Sequence, residues 1–262
     1  VEVRRPKRTF LQPLCYVGGK VGLATWLLKF VPPPQAVPFY GEPFAGGAAV
    51  FWAKPRHRVE LLNDLCGDLV NVYRCLQQPA KFRRLARLLA FTPYARAEYE
   101  RAVSILARRS AESVRRAWAT VVYSRMTAPS AMCGRRISFC ASPVNLGVRF
   151  NRARAWSRAV ECLESWHSRL QGVVIEQRDG IEFVRIHSSP EKFMLIDPPY
   201  LRSETDTDAG AAYGLRWTID ELEALIDALL DTASPALLCG EATDPRDARK
   251  PGMETHLPPE GV

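Results

Sequence analysis

The sequence predicts an α/β fold, a doubly wound and mostly parallel sheet interrupted by a helical insertion. Three observations lead there. Short apolar runs of strand length alternate with stretches of helical periodicity, the pattern of βα units stacked into a parallel sheet. That alternation lapses between Pro79 and about Ser130, where the pattern is helical, arginine-rich and short of strand signals. The chain has 262 residues, 47% of them hydrophobic, which suffices for one sizeable core with a smaller insertion and no need of covalent staples.

Gly18-Gly19-Lys20 opens a segment in which Leu23, Trp26, Leu27 and Phe30 recur at helical spacing, so a helix of about three turns is expected before Pro32-Pro33-Pro34. Ala36 to Phe44 reads as a strand running into the turn Ala45-Gly46-Gly47, and Ala48 to Trp52 reads as the start of a buried helix. Val59 to Leu62 is the second strand, closed by Asn63-Asp64 and followed by a helix with Leu65, Leu69, Val72 and Leu76 on one side. Ser130 to Asn151 is polar and turn-rich, which predicts an exposed loop or hairpin, and Arg152 to Leu170 fits one helix. Strands are expected at Val173 to Ile175, Lys192 to Ile196 and Ala236 to Cys239, with a short helix at Gly180 to His187. Thr218-Ile219-Asp220-Glu221 has the capping-box spacing and starts a helix through Leu230. The resulting division is a discontinuous core, 1–80 and 171–262, around an insertion at 81–170.

The net charge of +8 is unevenly spread. Residues 81–170 hold 18 Lys+Arg against 5 Asp+Glu, so this third of the chain carries all the excess positive charge. A cluster of that kind is the footprint of a phosphate-backbone partner, or a set of solvated helix faces. The seven cysteines are odd in number, scattered and never in a C-x-x-C pair, which argues against a disulfide framework and a structural zinc site. No apolar stretch reaches transmembrane length, and the basic start Arg4-Arg5-Pro6-Lys7-Arg8 leads into no signal-peptide core. The expectation is a cytoplasmic, metal-free monomer that does not enter a membrane.

The chemistry concentrates at strand ends. Phe193-Met194-Leu195-Ile196 runs into Asp197-Pro198-Pro199-Tyr200: a carboxylate, two residues without a backbone N–H, and an aromatic ring. Such a terminus accepts hydrogen bonds from an amino group and stacks on a flat ring, as a nucleobase amine requires, although a packed Pro-Pro turn has the same sequence. Gly46-Gly47 permits close approach of a ligand to the backbone. Asp64 stands where a carboxylate accepts the hydroxyls of a ribose or caps the next helix. The four histidines, at 57, 167, 187 and 256, show no ligand spacing.

Tyr16-Val17-Gly18-Gly19-Lys20, Glu42-Pro43-Phe44-Ala45-Gly46-Gly47, Asn63-Asp64 and Asp197-Pro198-Pro199-Tyr200, in this order, resemble the signature set of the Dam-like adenine-specific DNA methyltransferases. The resemblance spans roughly residues 14–240 and implies a Rossmann-like class I methyltransferase fold that uses S-adenosyl-L-methionine. It implies that Tyr16, Gly18, Gly19 and Lys20 approach the methionine end of that cofactor and that Glu42, Pro43, Phe44, Gly46 and Gly47 line its cleft. Asp64 would hold the ribose and Asp179 the cofactor adenine. Asp197 and the Pro198 carbonyl, followed by Pro199, would accept the hydrogens of adenine N6, and Tyr200 would stack on the extruded base. Double-stranded DNA is the implied partner, with Arg125, Arg135 and Arg136 flanking the loop where the family carries a DNA-contacting hairpin. Two stretches depart from the family pattern, Met132-Cys133-Gly134-Arg135 in the recognition hairpin and Cys239-Gly240-Glu241 after the strand that begins at 236. The rival readings are transfer to cytosine N4, to adenine in RNA or to a protein amide, and a non-catalytic DNA-binding protein with the same fold.

Overall fold

The computed structural model describes residues 12–15, 19–108, 111–127, 139–140, 151–199 and 217–240. Along these residues the order is α1 (Ala24–Leu27), β1 (Phe39–Glu42), α2 (Ala49–Ala53), β2 (Val59–Asn63) and α3 (Gly67–Gln77). A run of described helices follows as α4 (Pro79–Ala90), α5 (Arg96–Leu106), α6 (Ser113–Met126), α7 (Arg152–Glu161) and α8 (Leu163–Leu170). The chain then completes β3 (Val174–Glu176), α9 (Gly180–Ile186), β4 (Lys192–Ile196), α10 (Ile219–Leu230) and β5 (Ala236–Leu238).

The described strands form one five-stranded sheet in the order β3-β2-β1-β4-β5, with every pairing parallel. The chain proceeds outward in one direction from β1 to β3 and in the other from β4 to β5, so the topological switch point lies between β1 and β4. In open parallel sheets, ligands bind beside such a point, at the carboxyl ends of the strands.

Period-two alternation divides the strand side chains between two cores. Tyr40, Leu62, Phe193 and Leu195 face the larger cluster, while Phe39, Leu61, Met194 and Ile196 face the smaller one with Phe183 and Val184 of α9 and Leu225 and Ala228 of α10. The helices α4 to α7 join the larger cluster through Phe82, Leu85, Leu89, Tyr99, Trp118 and Trp156. Polar fasteners add to it. Arg116 of α6 forms an ion pair with Asp68 of α3, and Arg56 donates to the carbonyls of Ser168, Arg169 and Gln171 at the end of α8.

Several elements differ from the sequence expectation: β1 is confined to Phe39–Glu42, and Leu65, expected on the packed side of the helix after β2, precedes α3 and is exposed. The first helix spans only Ala24–Leu27, and around it Leu23, Trp26, Lys29 and Phe30 bond to the carbonyl three residues earlier, so the flanks are tight turns. The helix expected at Arg152 to Leu170 is two, because Cys162 ends α7 and starts α8. On one straight helix Trp156 and Trp166 would point roughly 80° apart. The break brings both into the core. Two local readings match in detail: β4 has the expected limits, and Thr218 and Glu221 form a reciprocal capping box on α10.

Candidate active site

Of the residues singled out from the sequence, Glu42, Asp64 and Asp197 stand at the carboxyl ends of β1, β2 and β4. The parity that sends Tyr40, Leu62 and Leu195 to one face of the sheet sends Glu42 and Asp197 to that face as well. Asp64 follows β2 and Asp197 follows β4, on either side of β1, so roughly 10 Å of sheet separates the two strand ends.

Asp197 is held by Lys20, whose Nζ lies 2.7 Å from Asp197 Oδ1. Pro198 is buried and Pro199 half-buried behind it. The early Gly-Gly-Lys segment and the Asp-Pro-Pro segment therefore meet in space. Gly19 is exposed beside them, whereas Tyr16, Gly18 and Tyr200 lie outside the described residues.

The loop between β1 and α2 is pinned from several directions. Gly46 has φ of 48° and Ala48 φ of 52°, both in the left-handed region that glycine tolerates and alanine resists. Asp64 Oδ2 accepts the Gly46 N–H at 2.8 Å, and the Tyr73 hydroxyl donates to the Gly46 carbonyl at 2.6 Å. Asp64 Oδ1 accepts the Cys66 N–H at 2.8 Å, tying the same carboxylate to the turn before α3. Each carboxylate oxygen retains a further acceptor position, so these bonds are compatible with receiving a hydroxyl. Burial pushes the Asp64 carboxyl above its ordinary range against the two N–H donors.

Asn63 laces three strand-end loops together. Its amide donates to the carbonyls of Pro43 at 2.8 Å and Arg178 at 3.1 Å, and its oxygen accepts the Arg178 N–H at 2.9 Å. This places the loop bearing Asp179 beside those bearing Phe44 and Asp64. Asp179 is exposed and caps α9, accepting the N–H groups of Ile181 and Glu182. The Phe44 ring lies over Gly180, where an added Cβ would be 2.2 Å from the ring, and meets Trp217 edge-on at 5.4 Å between centroids. Carboxylates on the rim and an aromatic surface between them suit a nucleoside, with hydroxyls bonding at the edge and a flat base against the rings.

Glu42 is buried, and its Oε1 accepts both the Tyr40 hydroxyl at 2.6 Å and the Phe51 N–H at 2.9 Å. Burial lifts its carboxyl to about 7, against the lowering effect of the Tyr40 hydrogen bond and the Lys54 charge. Behind Tyr40 lies a buried ionic cluster. Glu60 is in an ion pair with Lys54 and accepts from Arg169 at 2.5 and 2.9 Å, and Lys54 Nζ contacts His57 Nδ1 at 2.8 Å and stands 4.0 Å above the Tyr40 ring. Desolvation brings Lys54 down to about 8. Arg169, at the end of α8, also donates to the Phe51 carbonyl at 3.1 Å and covers the Phe51 ring at 3.7 Å. Sequence reasoning missed this cluster because its members are spread from 40 to 169. The one local signal that could have found part of it is the period-two spacing that puts Tyr40 and Glu42 on one strand face.

Arg125 does not face a nucleic-acid surface. It is buried in α6, donates from its guanidinium to the carbonyls of Pro13 (2.7 Å) and Gln12, and covers the Trp166 ring at 5.5 Å. Helical spacing could have revealed this, because Arg125 follows the buried Val121 and Val122 by four and three residues. Arg135 and Arg136 lie outside the described residues. The described arginines that do reach solvent include Arg83, Arg84 and Arg87 on α4 and Arg154 and Arg158 on α7, two helices packed together. Among the described residues no group of three or more His, Cys, Asp or Glu side chains is arranged to hold a metal, and no helix is long and apolar enough to cross a membrane.

Two comparisons with known proteins bear on the family of the chain. A 65-residue segment is 37% identical to the DNA N-6-adenine-methyltransferase of Escherichia phage P1, covering 25% of this chain and 8% of that protein. The matched segment thus spans less than a tenth of the relative's length. The family defined as D12 class N6 adenine-specific DNA methyltransferase matches residues 16–237, which include the Lys20–Asp197 pair, the pinned glycine loop and the Asn63 lacing. The chain belongs to the D12 class of N6 adenine-specific DNA methyltransferases.

Proposed function

We propose that this protein methylates adenine N6 in double-stranded DNA, using S-adenosyl-L-methionine. The observation that carries the reading is Asp197, fixed by Lys20 at the switch point and followed by two prolines. Prolines at 198 and 199 remove the N–H donors that would otherwise compete there, leaving carboxylate and carbonyl oxygens as acceptors. An exocyclic amine carries two hydrogens and matches that set. Its lone pair is delocalised into the ring, and hydrogen bonds from N6 to Asp197 and the Pro198 carbonyl draw the nitrogen toward tetrahedral geometry. The base must first leave the duplex, which costs a few kcal/mol of stacking and pairing. Tyr200 is assigned the stacking partner that offsets part of this cost.

The cofactor supplies a methyl group on a positively charged sulfur, poised for in-line transfer. The residues assigned to hold it are Asp64 for ribose hydroxyls, Asp179 and the Phe44 surface for the adenine, and Tyr16 with the Gly18 to Lys20 segment for the methionine end. Alignment and electrostatics carry the rate, because no covalent enzyme adduct is required. The exposed arginines of α4 and α7 are assigned to the DNA backbone, with base readout left to the segment that contains Arg135 and Arg136. The protein is proposed to act as a cytoplasmic monomer.

The test is transfer of label from tritiated S-adenosyl-L-methionine. Label recovered as N6-methyladenine in duplex DNA, and lost in Asp197→Ala with the fold retained, is the expected result. Label in cytosine, RNA or protein would redirect the reading, and cofactor binding without any transfer would make the chain a binding module.

A further inference from the structure

We infer that Glu42 senses the charge of the methyl donor, standing ionised when a sulfonium occupies the cleft and taking up a proton when a neutral thioether replaces it. This rests on the methyl-transfer reading above. The placement is geometric. β1 and β4 pair in register with Gly41 opposite Met194, so Glu42 falls opposite Leu195, and Asp197 lies two residues further on the same face. The buried carboxylate therefore sits one diagonal step from the acceptor that grips the substrate amine.

Its surroundings leave it responsive to an added cation. From β1 the Tyr40 hydroxyl faces it, and from α2 the Phe51 N–H, both on Oε1. Lys54 beyond α2 is engaged with Glu60 and His57, and Arg169 of α8 with Glu60. Lys20 is engaged with Asp197, and past β5 stands the Cys239 thiol, raised to about 12 by burial with Asp197 contributing. None of the ion pairs formed among the described residues includes Glu42. A carboxyl at about 7, without a dedicated cation, changes its protonation when a positive charge arrives on the crevice side.

The proton balance is closed. Donor binding to the protonated carboxyl releases one proton to solvent. In the transfer, the carbon–sulfur bond breaks with its electron pair on sulfur, the nitrogen–carbon bond forms, and N6 gives up one proton, which passes by way of Asp197 to solvent. Sulfur is then neutral, and Glu42 takes one proton from solvent. The device weakens the hold on the cationic donor at low pH without equally weakening the hold on the neutral product.

Calorimetric binding of S-adenosylmethionine and S-adenosylhomocysteine between pH 6 and 8, in buffers of different ionisation enthalpy, tests this. In the wild type, donor binding should release protons and product binding should not, and the ratio of product to donor dissociation constants should rise about tenfold over the range. In Glu42→Gln the ratio should lose that added dependence, whatever the absolute affinities, since the ligands' own titrations are common to both proteins. Tyr40→Phe removes a hydrogen bond that favours the ionised carboxylate and should move the midpoint upward. Equal pH dependence in wild type and Glu42→Gln, or an unmoved midpoint in Tyr40→Phe, overturns the inference alone. Binding of neither ligand at any pH overturns the methyl-donor reading with it.

Discussion

Lys20 Nζ stands 2.7 Å from Asp197 Oδ1, joining residues 177 positions apart. Both side chains are largely shielded, with 11% and 24% of their surface exposed, so the contact fixes the carboxylate's direction more than an open surface pair would. Lys20→Met should lower kcat about 10²-fold through misplacement of that carboxylate. Lys20→Arg, which keeps the charge in a bulkier fork, should recover part of the rate. Single-turnover methylation with saturating cofactor and DNA separates this loss from weaker binding, and a full rate in Lys20→Met would remove the positioning role.

Asn63 uses its whole amide to hold the Pro43 and Arg178 backbones, at 1% exposure. Replacement by Ala leaves the buried Pro43 carbonyl without this donor, at roughly 1–3 kcal/mol, and the Arg178 backbone groups, nearer solvent, at less. Asn63→Ala should therefore reduce stability by about 2–4 kcal/mol and weaken cofactor binding, because the loops bearing Phe44, Asp64 and Asp179 lose their common tie. Denaturant unfolding and cofactor titration are the two measurements. Unchanged affinity in a folded variant would mean that the lacing is structural alone.

What was legible in the sequence was local chemistry. The apolar run at 192–196, the Thr218–Glu221 capping box and the strand-closing Asn63-Asp64 each encode their conformation within a few residues, and the structure places them as expected. The break at Cys162 was not legible, because no proline or glycine marks it; its cause is the burial of two tryptophans against distant helices. The assignment of Arg125 failed differently. Its position beside the loop where the family carries a DNA-contacting hairpin suggested a nucleic-acid contact, while its helical phase beside Val121 and Val122 places it inside. The parts of the site that depend on long-range closure, Lys20 on Asp197 and Arg169 on Glu60, have no spacing signal at all.

Arg125→Met offers a direct test of that correction. The guanidinium donates to two backbone carbonyls and lies over Trp166, so its loss should cost about 3 kcal/mol of stability. DNA affinity measured against salt concentration should keep its slope, because no phosphate contact is removed. Replacing Arg84 and Arg87 together should flatten the slope by up to about two counterions while leaving the unfolding midpoint nearly unchanged. The opposite pattern would return Arg125 to the DNA surface.

Gly180 lies beneath Phe44 with no room for a methyl group, the nearest ring atom being 2.2 Å from where the Cβ would be. Gly180→Ala must move the ring or the start of α9, and either shift disturbs the surface assigned to the cofactor's adenine. The expected result is at least a tenfold rise in the cofactor dissociation constant, equivalent to about 1.4 kcal/mol. Unaltered affinity would place the adenine elsewhere.

Glu42 predicts how stability depends on pH. Its carboxyl is raised from 4.5 to about 7 in the fold, chiefly by burial, so the folded chain holds this proton more tightly than the unfolded chain does. The stabilisation is complete below about 4.5 and is lost as pH rises through about 7, where the buried group finally ionises. The loss is on the order of 3 kcal/mol. Glu42→Gln keeps an oxygen for the Tyr40 hydroxyl and the Phe51 N–H and cannot ionise, so it should escape that decline. Asp64 is shifted in the same direction, but it is present in both proteins and cancels in the comparison. Urea unfolding from pH 4.5 to 7.5 should show the variant gaining on the wild type steadily with pH. A constant gap would mean that Glu42 is ionised in the fold throughout and that solvent or a cation reaches it.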